Sequence, residues 1–279
     1  MIWHGDFPRH LFGGLKVLQL GFDASAAGFP LGLLERFHHL EELRLKQCLY
    51  EEILSNDGHS DQHVGKLAPI KYLRPSRLNN LNQLWKQDSQ MDSIFQYVDN
   101  VVVSSCDNLL ILLLSSSVSF RNLKILEVSG CKKLTNLVAS SAAKSQVALV
   151  KMQVFGCRAM TQVVKSEGNQ LAREEIVFNK LKMLSLFNLD SLTSFCSGNY
   201  IFKFPSLEVL FVVGCPKMNI FTTGELSTPP RVEVMYRNRG APCWDGDFNT
   251  TIQQLHRVKV RVCVCVCTYI YKIRKWMQK

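Results

Sequence analysis

The sequence predicts an α/β repeat fold, a leucine-rich-repeat solenoid with a concave parallel β-sheet and an irregular convex side. Two observations support this prediction. The spacing L-x-x-L-x-L recurs eight times, and the first positions of successive units lie 25, 30, 28, 25, 26, 32 and 26 residues apart. Within each unit, apolar and variable residues alternate, as in a strand with one buried face. Periods of about 20 to 30 residues built on this pattern are typical of leucine-rich repeats.

The units share one apolar framework, and insertions fall between the strands. The third unit has Pro75 at an inward strand position, where the missing N–H interrupts a parallel ladder, so it is expected to be the weakest unit. Polar segments at residues 56–61 and 166–175 are predicted loops. The units begin at Leu15, Leu40, Ile70, Val98, Leu123, Leu149, Leu181 and Leu207.

Five of the ten cysteines recur once per unit, at the point where the chain leaves the strand. A small apolar thiol suits a crowded turn, so we interpret these residues as structural. Metal sites use closer ligand spacings, such as C-x-x-C. The first fifteen residues contain no apolar segment of the secretory type, so free thiols in a reducing, cytoplasmic compartment are expected. The five are Cys48, Cys106, Cys131, Cys157 and Cys215.

The net charge of +10 is unevenly distributed. Residues 256–279 carry seven basic groups and no acidic one, which leaves residues 1–255 near +3, with 26 basic and 23 acidic groups. A nearly balanced repeat region argues against a general affinity for nucleic acid or acidic lipid. The longest apolar run, residues 109–114, is far shorter than the roughly 20 residues that span a bilayer.

Distinct motifs add a family resemblance to the repeat spacing. In order they are FRNLKILEVSGC at residues 120–131, IVFNKL at 176–181, LTSFCSG at 192–198, FPSLE at 204–208 with CPKM at 215–218, and DFNTTIQ at 247–253. Over roughly residues 1–255 the chain resembles the C-terminal leucine-rich-repeat region of plant coiled-coil nucleotide-binding (NB-LRR) disease-resistance proteins.

The resemblance implies a non-enzymatic recognition module of a cytoplasmic innate immune receptor. Its protein partner would be a pathogen effector, a guarded host protein or the receptor's own nucleotide-binding domain. No G-x-x-x-x-G-K-[ST] motif occurs in the sequence, so nucleotide binding is not carried over and no cofactor is expected. The abrupt start suggests a fragment of a larger receptor. A non-functional fragment and an F-box-type substrate adaptor for ubiquitin ligation are the alternatives.

The alternation predicts which strand residues face outward on the concave side, the usual contact surface of a solenoid. Exposed aromatic residues beside Arg and Lys are typical of a protein-binding surface, with three phenylalanines as anchors and Phe155 and Phe187 as neighbours. Coverage by insertion loops or by an absent domain is the alternative. The candidates are Arg44, Lys46, Arg74, Glu127, Lys151, Gln153, Phe155, Phe187 and Phe211.

Catalytic and metal motifs find little support. The seven histidines form no H-E-x-x-H, and G-x-S-x-G does not occur. His38 and His39 are expected in a turn. His59 and His63 flank Asp61 at a spacing that is weak evidence for a metal site.

The final residues, 256–279, are predicted to be separate from the solenoid domain of residues 1–255. The run VKVRVCVCVC at 258–267 alternates perfectly. It suits a strand, and C-x-C-x-C suits a soft metal. Its second part, VCVCVC at 262–267, is also what an alternating GT tract of DNA encodes, and a TA tract would encode the residues TYIY that follow. We favour this third interpretation, a low-complexity tail of non-native translation.

Overall fold

The alternating half of each repeat forms a strand. The computed structural model describes residues 12–24, 28–34, 36–55, 69–84, 95–113, 121–167, 174–230, 232–235 and 246–257. The strands of the described residues are, in chain order, β1 (Val17–Gly21), β2 (Phe29–Pro30), β3 (Glu42–Lys46), β4 (Leu54–Ser55), β5 (Tyr72–Ser76), β6 (Asn100–Ser104), β7 (Ile111–Leu113), β8 (Ile125–Ser129), β9 (Asn136–Ala139), β10 (Lys151–Phe155), β11 (Gln162–Lys165), β12 (Glu175–Val177), β13 (Met183–Phe187), β14 (Ile201–Lys203), β15 (Val209–Val213), β16 (Leu226–Ser227) and β17 (Glu233–Met235). The helices are α1 (Leu31–Leu34), α2 (Ser140–Ser145) and α3 (Phe248–Arg257).

Nine parallel strands form the concave sheet, in the order β1-β3-β5-β6-β8-β10-β13-β15-β17. Successive strands pair without a register shift, so the inward apolar residues of each repeat stack on those of the next. Leu43, Leu126 and Leu184, for example, are fully buried. The predicted solenoid and its parallel sheet are confirmed, with one strand from each of the eight units. β17 is a ninth strand that the eight units do not include.

Each of the eight predicted strands is followed by a residue in the left-handed region, with φ between 52° and 68°. In seven of the eight, the N–H donates to the carbonyl oxygen of the last residue in the next strand, over 2.8 to 3.1 Å. This arrangement, the turn column, bends every repeat in the same way. It comprises Phe22, Gln47, Arg77, Ser105, Gly130, Gly156, Asn188 and Gly214.

The repeated cysteines follow the turn column directly and are buried, as the sequence indicates. The thiol sulfur of each lies 3.6 to 3.7 Å from the carbonyl oxygen two residues earlier. The thiol therefore fills the turn and donates a weak hydrogen bond to the same carbonyl oxygen that accepts from the turn column of the preceding repeat. This geometry explains the recurrence of cysteine without any metal.

Pro75 marks a gap in the concave ladder. β5 pairs with β3 at all five positions, including Leu45 with Pro75. With β6 it pairs at Tyr72, Leu73 and Ser76, and the ladder passes over Arg74 and Pro75. A proline has no N–H to donate, so the interruption falls where the sequence places it.

The convex side consists of turns and short strands. Two small parallel sheets, β11-β9-β7 and β12-β14-β16, and the pair β2-β4 lie there. Beneath the later repeats the core is aromatic: Phe195 stacks on Phe221 with ring centroids 4.8 Å apart, and Phe221 contacts Phe248 of α3 at 5.1 Å. α3 is thereby fixed to the last turns of the solenoid.

The predicted loops are described in part. Residues 56–61 lie outside the described residues. The second loop ends earlier than expected, because β12 begins at Glu175. The boundary predicted after Leu255 falls within α3, and residues 258–279 lie outside the described part of the chain.

Candidate protein-binding surface

The outward side chains of the concave sheet form three straight rows, one for each outward strand position, because neighbouring strands pair in register. All nine candidate residues lie in these rows. Their chemistry changes along the solenoid: it is mainly charged over β3 and β5, mixed over β6, β8 and β10, and mainly apolar over β13 and β15.

The basic part is organised by a single carboxylate. Glu42 accepts two hydrogen bonds from Arg44, at 2.8 Å to Nε and 2.9 Å to the terminal nitrogen, and lies 2.6 Å from Nε of Arg74. Both arginine side chains remain 44% exposed, whereas that of Glu42 is 12% exposed. The hydrogen bond from Arg44 is the largest cause that lowers the pKa of Glu42. The carboxylate is thus ionised at neutral pH and holds two guanidinium groups side by side.

Lys46 stands beside this pair with an exposed side chain. It makes no ion pair with any residue that the structure describes. Its row neighbours are Gly21 on β1 and Ser76 on β5, which are too small to cover it. Three cations and one carboxylate therefore give this end of the sheet a positive charge.

The middle of the sheet contains a second ion pair. The ammonium of Lys151 lies 2.7 Å from a carboxylate oxygen of Glu127 on the neighbouring strand. Lys151 was expected on the surface, but it is 8% exposed, because its side chain lies along the sheet toward that carboxylate. Gln153, half-buried, donates to Oγ of Ser185 over 3.4 Å. These polar residues satisfy one another within the sheet.

The expectation of three exposed aromatic anchors is wrong for two of them. Phe155 is 44% exposed, whereas Phe187 and Phe211 are each 8% exposed. The rings of Phe187 and Phe211 contact each other with centroids 5.7 Å apart, and they cluster with Met183 and Val209 apart from the main core. Large apolar side chains on adjacent strands remove much of one another's surface from water. Phe155 and Phe187 do pair in register, as predicted.

The expected mixture of aromatic and basic residues is found on β10, which carries both Phe155 and the mostly buried Lys151, but not around the exposed arginines. Arg44, Lys46 and Arg74 lie on β3 and β5, while the phenylalanines lie on β10, β13 and β15. Three half-buried serines between the two groups, Ser76, Ser104 and Ser129, were not among the candidates. Their common strand position is visible in the sequence and could have identified them.

Two of the buried thiols, those of Cys106 and Cys215, are unsuited to nucleophilic chemistry. Burial raises the pKa of Cys106 to about 11 and that of Cys215 to about 12. The thiolate is the reactive form, so these groups are inert at neutral pH. His38 and His39 lie in a turn, as expected, whereas His59 and His63 fall outside the described residues.

With this geometry established, comparison with known families identifies the repeats. The family described as plant disease resistance protein RPS2-like, leucine-rich repeats, matches residues 1–119 and 111–224. The chain belongs to this RPS2-like family. Neither the curated proteins nor the solved structures contain a match.

Membership in the RPS2-like family agrees with both the motifs and the solenoid. Leucine-rich repeats of this kind are protein-interaction modules, typically without catalytic activity, and the family links this one to plant disease resistance. Within the described residues, no helix is both long and apolar enough to cross a membrane.

Proposed function

We propose that this chain is the recognition module of a cytoplasmic NB-LRR innate immune receptor and acts through surface contacts, without catalysis. Its partner is a pathogen effector, a guarded host protein or the nucleotide-binding domain of a receptor. The supporting observation is a continuous concave sheet whose outward side chains are charged and exposed at one end, in a chain of the RPS2-like family.

The shape of the sheet favours binding through that face. Parallel pairing fixes the outward side chains in rows with a constant spacing, so little conformational freedom is lost when a partner docks. On the turn side, charges pair one to one, as Lys132 with Asp107 at 2.7 Å and Arg158 with Asp190 at 3.5 Å, whereas on the concave face two arginines share the single carboxylate of Glu42. Exposed pairs of this kind contribute little to binding or stability.

Site-specific photo-crosslinking tests the proposal. A benzophenone amino acid is placed at Ser76 or Gln153 on the concave face, and at Arg158 or Lys217 beyond the turns as matched controls. The full chain is then expressed in healthy and infected leaf cells. We expect the two concave positions to crosslink one defined protein of the proposed classes, identified by mass spectrometry. Equal crosslinking from all four positions, or none from the concave pair, would contradict the proposal.

A further inference from the structure

One row of outward side chains on the concave face crosses five adjacent strands, with a basic residue at one end and an aromatic residue at the other. Lys46 pairs with Ser76, Ser76 with Ser104, Ser104 with Ser129 and Ser129 with Phe155. We call these five residues the central row. It begins beside the two arginines held by Glu42 and ends at the one candidate phenylalanine with a large exposed surface.

The basic end is suited to carboxylates. Guanidinium groups bind carboxylates through two parallel N–H donors, and a fixed guanidinium loses less entropy on binding than a mobile one. Arg74 contacts Glu42 through Nε. Its side chain is nevertheless 44% exposed, so this guanidinium, held in place by Glu42, remains accessible to a partner. The ammonium of Lys46 adds a third cation beside the two guanidinium groups.

The opposite end is suited to an apolar side chain. Phe155 is 44% exposed, with the small Ser129 on one side and Phe187 on the other. An aromatic ring with an open flank offers apolar surface to a partner, and burying such surface is the usual source of binding energy at an anchor. The serines between the two ends present hydroxyl groups and little bulk.

The length of the central row determines how many residues of a bound peptide would be needed to reach from one end to the other. Four strand spacings of about 4.8 Å separate Lys46 from Phe155, or about 19 Å in total. An extended chain advances about 3.3 Å per residue, so about six residues bridge the row.

We propose that the central row binds an extended segment of a protein partner, with one or two carboxylates at one end and a large apolar side chain about six residues away. This inference rests on the proposed function and specifies its contact. A nucleic-acid strand fits less well, because it carries a charge at every nucleotide, whereas no residue of the row beyond Lys46 is basic.

Fluorescence polarisation with the full chain tests this inference. The probe is a fluorescein-labelled peptide, Glu-Glu-Ser-Gly-Ser-Gly-Ser-Leu, together with its reversed sequence. One control peptide replaces both glutamates by lysine, and another replaces leucine by serine. The protein variants are Arg44→Glu with Arg74→Glu, and Phe155→Ser. The charge-matched control variant is Arg158→Glu with Lys217→Glu, at exposed positions away from the row. Circular dichroism verifies that every variant remains folded.

We expect the probe, in one of its two directions, to bind at least tenfold more weakly to the double arginine variant and severalfold more weakly to Phe155→Ser. The charge-matched control should bind like the original chain. The serine-substituted peptide should be insensitive to Phe155→Ser. Residues 256–279 carry seven basic groups and attract acidic peptides too. The contribution of these residues to peptide binding is the same in all variants, so the differences in affinity between variants report on the concave sheet.

Three results would overturn the inference. The first is equal loss of binding in the charge-matched control, and the second is probe binding no tighter than that of the lysine peptide. The third is tighter binding of a uridine octanucleotide with the same dependence on Arg44 and Arg74, which would assign the surface to nucleic acid. If no peptide binds while the concave positions still crosslink a partner, the proposed peptide chemistry is wrong and the proposed function stands. If neither peptide binding nor concave crosslinking is seen, the proposed function is contradicted as well.

Discussion

The side-chain amide of Asn249 completes the last turn of the convex side by hydrogen bonding to the backbone of Thr222. Its Oδ1 accepts from the N–H of Thr222 over 3.1 Å, and its Nδ2 donates to the carbonyl oxygen of Thr222 over 2.9 Å. The N–H of Phe221 also donates to Oδ1, over 2.8 Å. One side chain of α3 thus satisfies backbone groups that a further repeat would otherwise pair.

Replacing Asn249 with alanine should destabilise the solenoid by about 2 kcal/mol, because three backbone contacts lose their partner. Asn249→Asp should also destabilise, since a carboxylate keeps the two accepting contacts but places a charged oxygen against the carbonyl oxygen of Thr222. Urea unfolding followed by circular dichroism measures both effects. The exposed Gln254 on the same helix supplies the control, Gln254→Ala. Equal midpoints for the Asn249 and Gln254 variants would show that α3 does not cap the stack.

Replacing a glycine of the turn column with alanine should reduce the stability of the fold by an amount that differs from one glycine to the next. Gly156 has φ +65° and nothing within 4 Å of an added Cβ, so Gly156→Ala should cost about 1 kcal/mol from backbone strain alone. At Gly214, φ is +68° and a Cβ would lie 3.2 Å from the backbone of Asn188, so the cost should be clearly larger.

Gly14→Ala is the matched control, because that site is open and its φ is not in the left-handed range. Thermal melts should rank the variants Gly14→Ala, Gly156→Ala, Gly214→Ala in order of increasing destabilisation. The converse replacement, Arg77→Gly, relieves a strained residue with φ 54° and should be tolerated. If Gly156→Ala melted like Gly14→Ala, the turn column would not be under conformational constraint.

The buried cysteines predict a loss of stability at alkaline pH. Burial raises the pKa of Cys106 to about 11, while an unfolded thiol titrates near 8.5 to 9. As the pH rises, the thiol therefore loses its proton in the unfolded chain before it does so in the folded chain. The stabilisation that the buried, protonated thiol provides is complete below about pH 8 and is lost as the pH approaches 11. Each such thiol should lower the free energy of unfolding by roughly 1.4 kcal/mol per pH unit within that window.

Unfolding by urea at a series of pH values between 8 and 10.5 measures this slope. Cys106→Ala should be less stable at neutral pH, with a shallower decline above pH 9. Iodoacetamide should label Cys106 and Cys215 slowly in the folded protein and rapidly in urea, as peptide mass spectrometry can determine. Rapid labelling of both in the native state at pH 7.5 would contradict their burial.

The contacts of Glu42 with Arg44 and Arg74 predict which arginine has the larger effect on the pKa of Glu42. The hydrogen bond from Arg44 contributes most to lowering the pKa of Glu42, and Arg74 contributes less. Carbon-detected NMR titration should therefore show a larger rise in the Glu42 pKa for Arg44→Gln than for Arg74→Gln. Because the folded-state pKa is depressed, the stabilisation is present above pH 4.5 and is lost as pH falls further. A larger effect of Arg74→Gln would reverse the assignment.

Sequence periodicity predicts the faces of the strands well, because the alternation of side chains is a local property of the backbone. From β3 to β15 the residues at the inward positions are buried as expected, and so are the five repeated cysteines, whereas Leu18 and Leu20 of the first strand are only partly buried. Exposure on the outward face is not local. Whether Phe187 or Lys151 is covered depends on the side chains of neighbouring repeats, which lie about 25 residues or more away in sequence.

The ninth strand, β17, was missed for a related reason. Its register places Val234 opposite Leu210, so the first and third apolar positions of that unit fall on Arg231 and Tyr236. Neither residue matches the pattern, and only the buried Val234 retains it. A strand can add to a preformed sheet edge with a single inward anchor, since the preceding repeat supplies the hydrogen-bonding template.

The position of α3 sharpens the boundary of the repeat domain. Phe248 and Asn249 attach the helix to the last turns, and the helix continues to Arg257. A chain that ends after Arg257 should therefore keep the melting temperature and circular dichroism spectrum of the full chain. It loses six basic groups and no acidic one, so it should elute from heparin at much lower salt. A fall in melting temperature of several degrees would show that residues 258–279 contribute to the stability of the fold. Unchanged heparin elution would show that the repeats themselves bind polyanions.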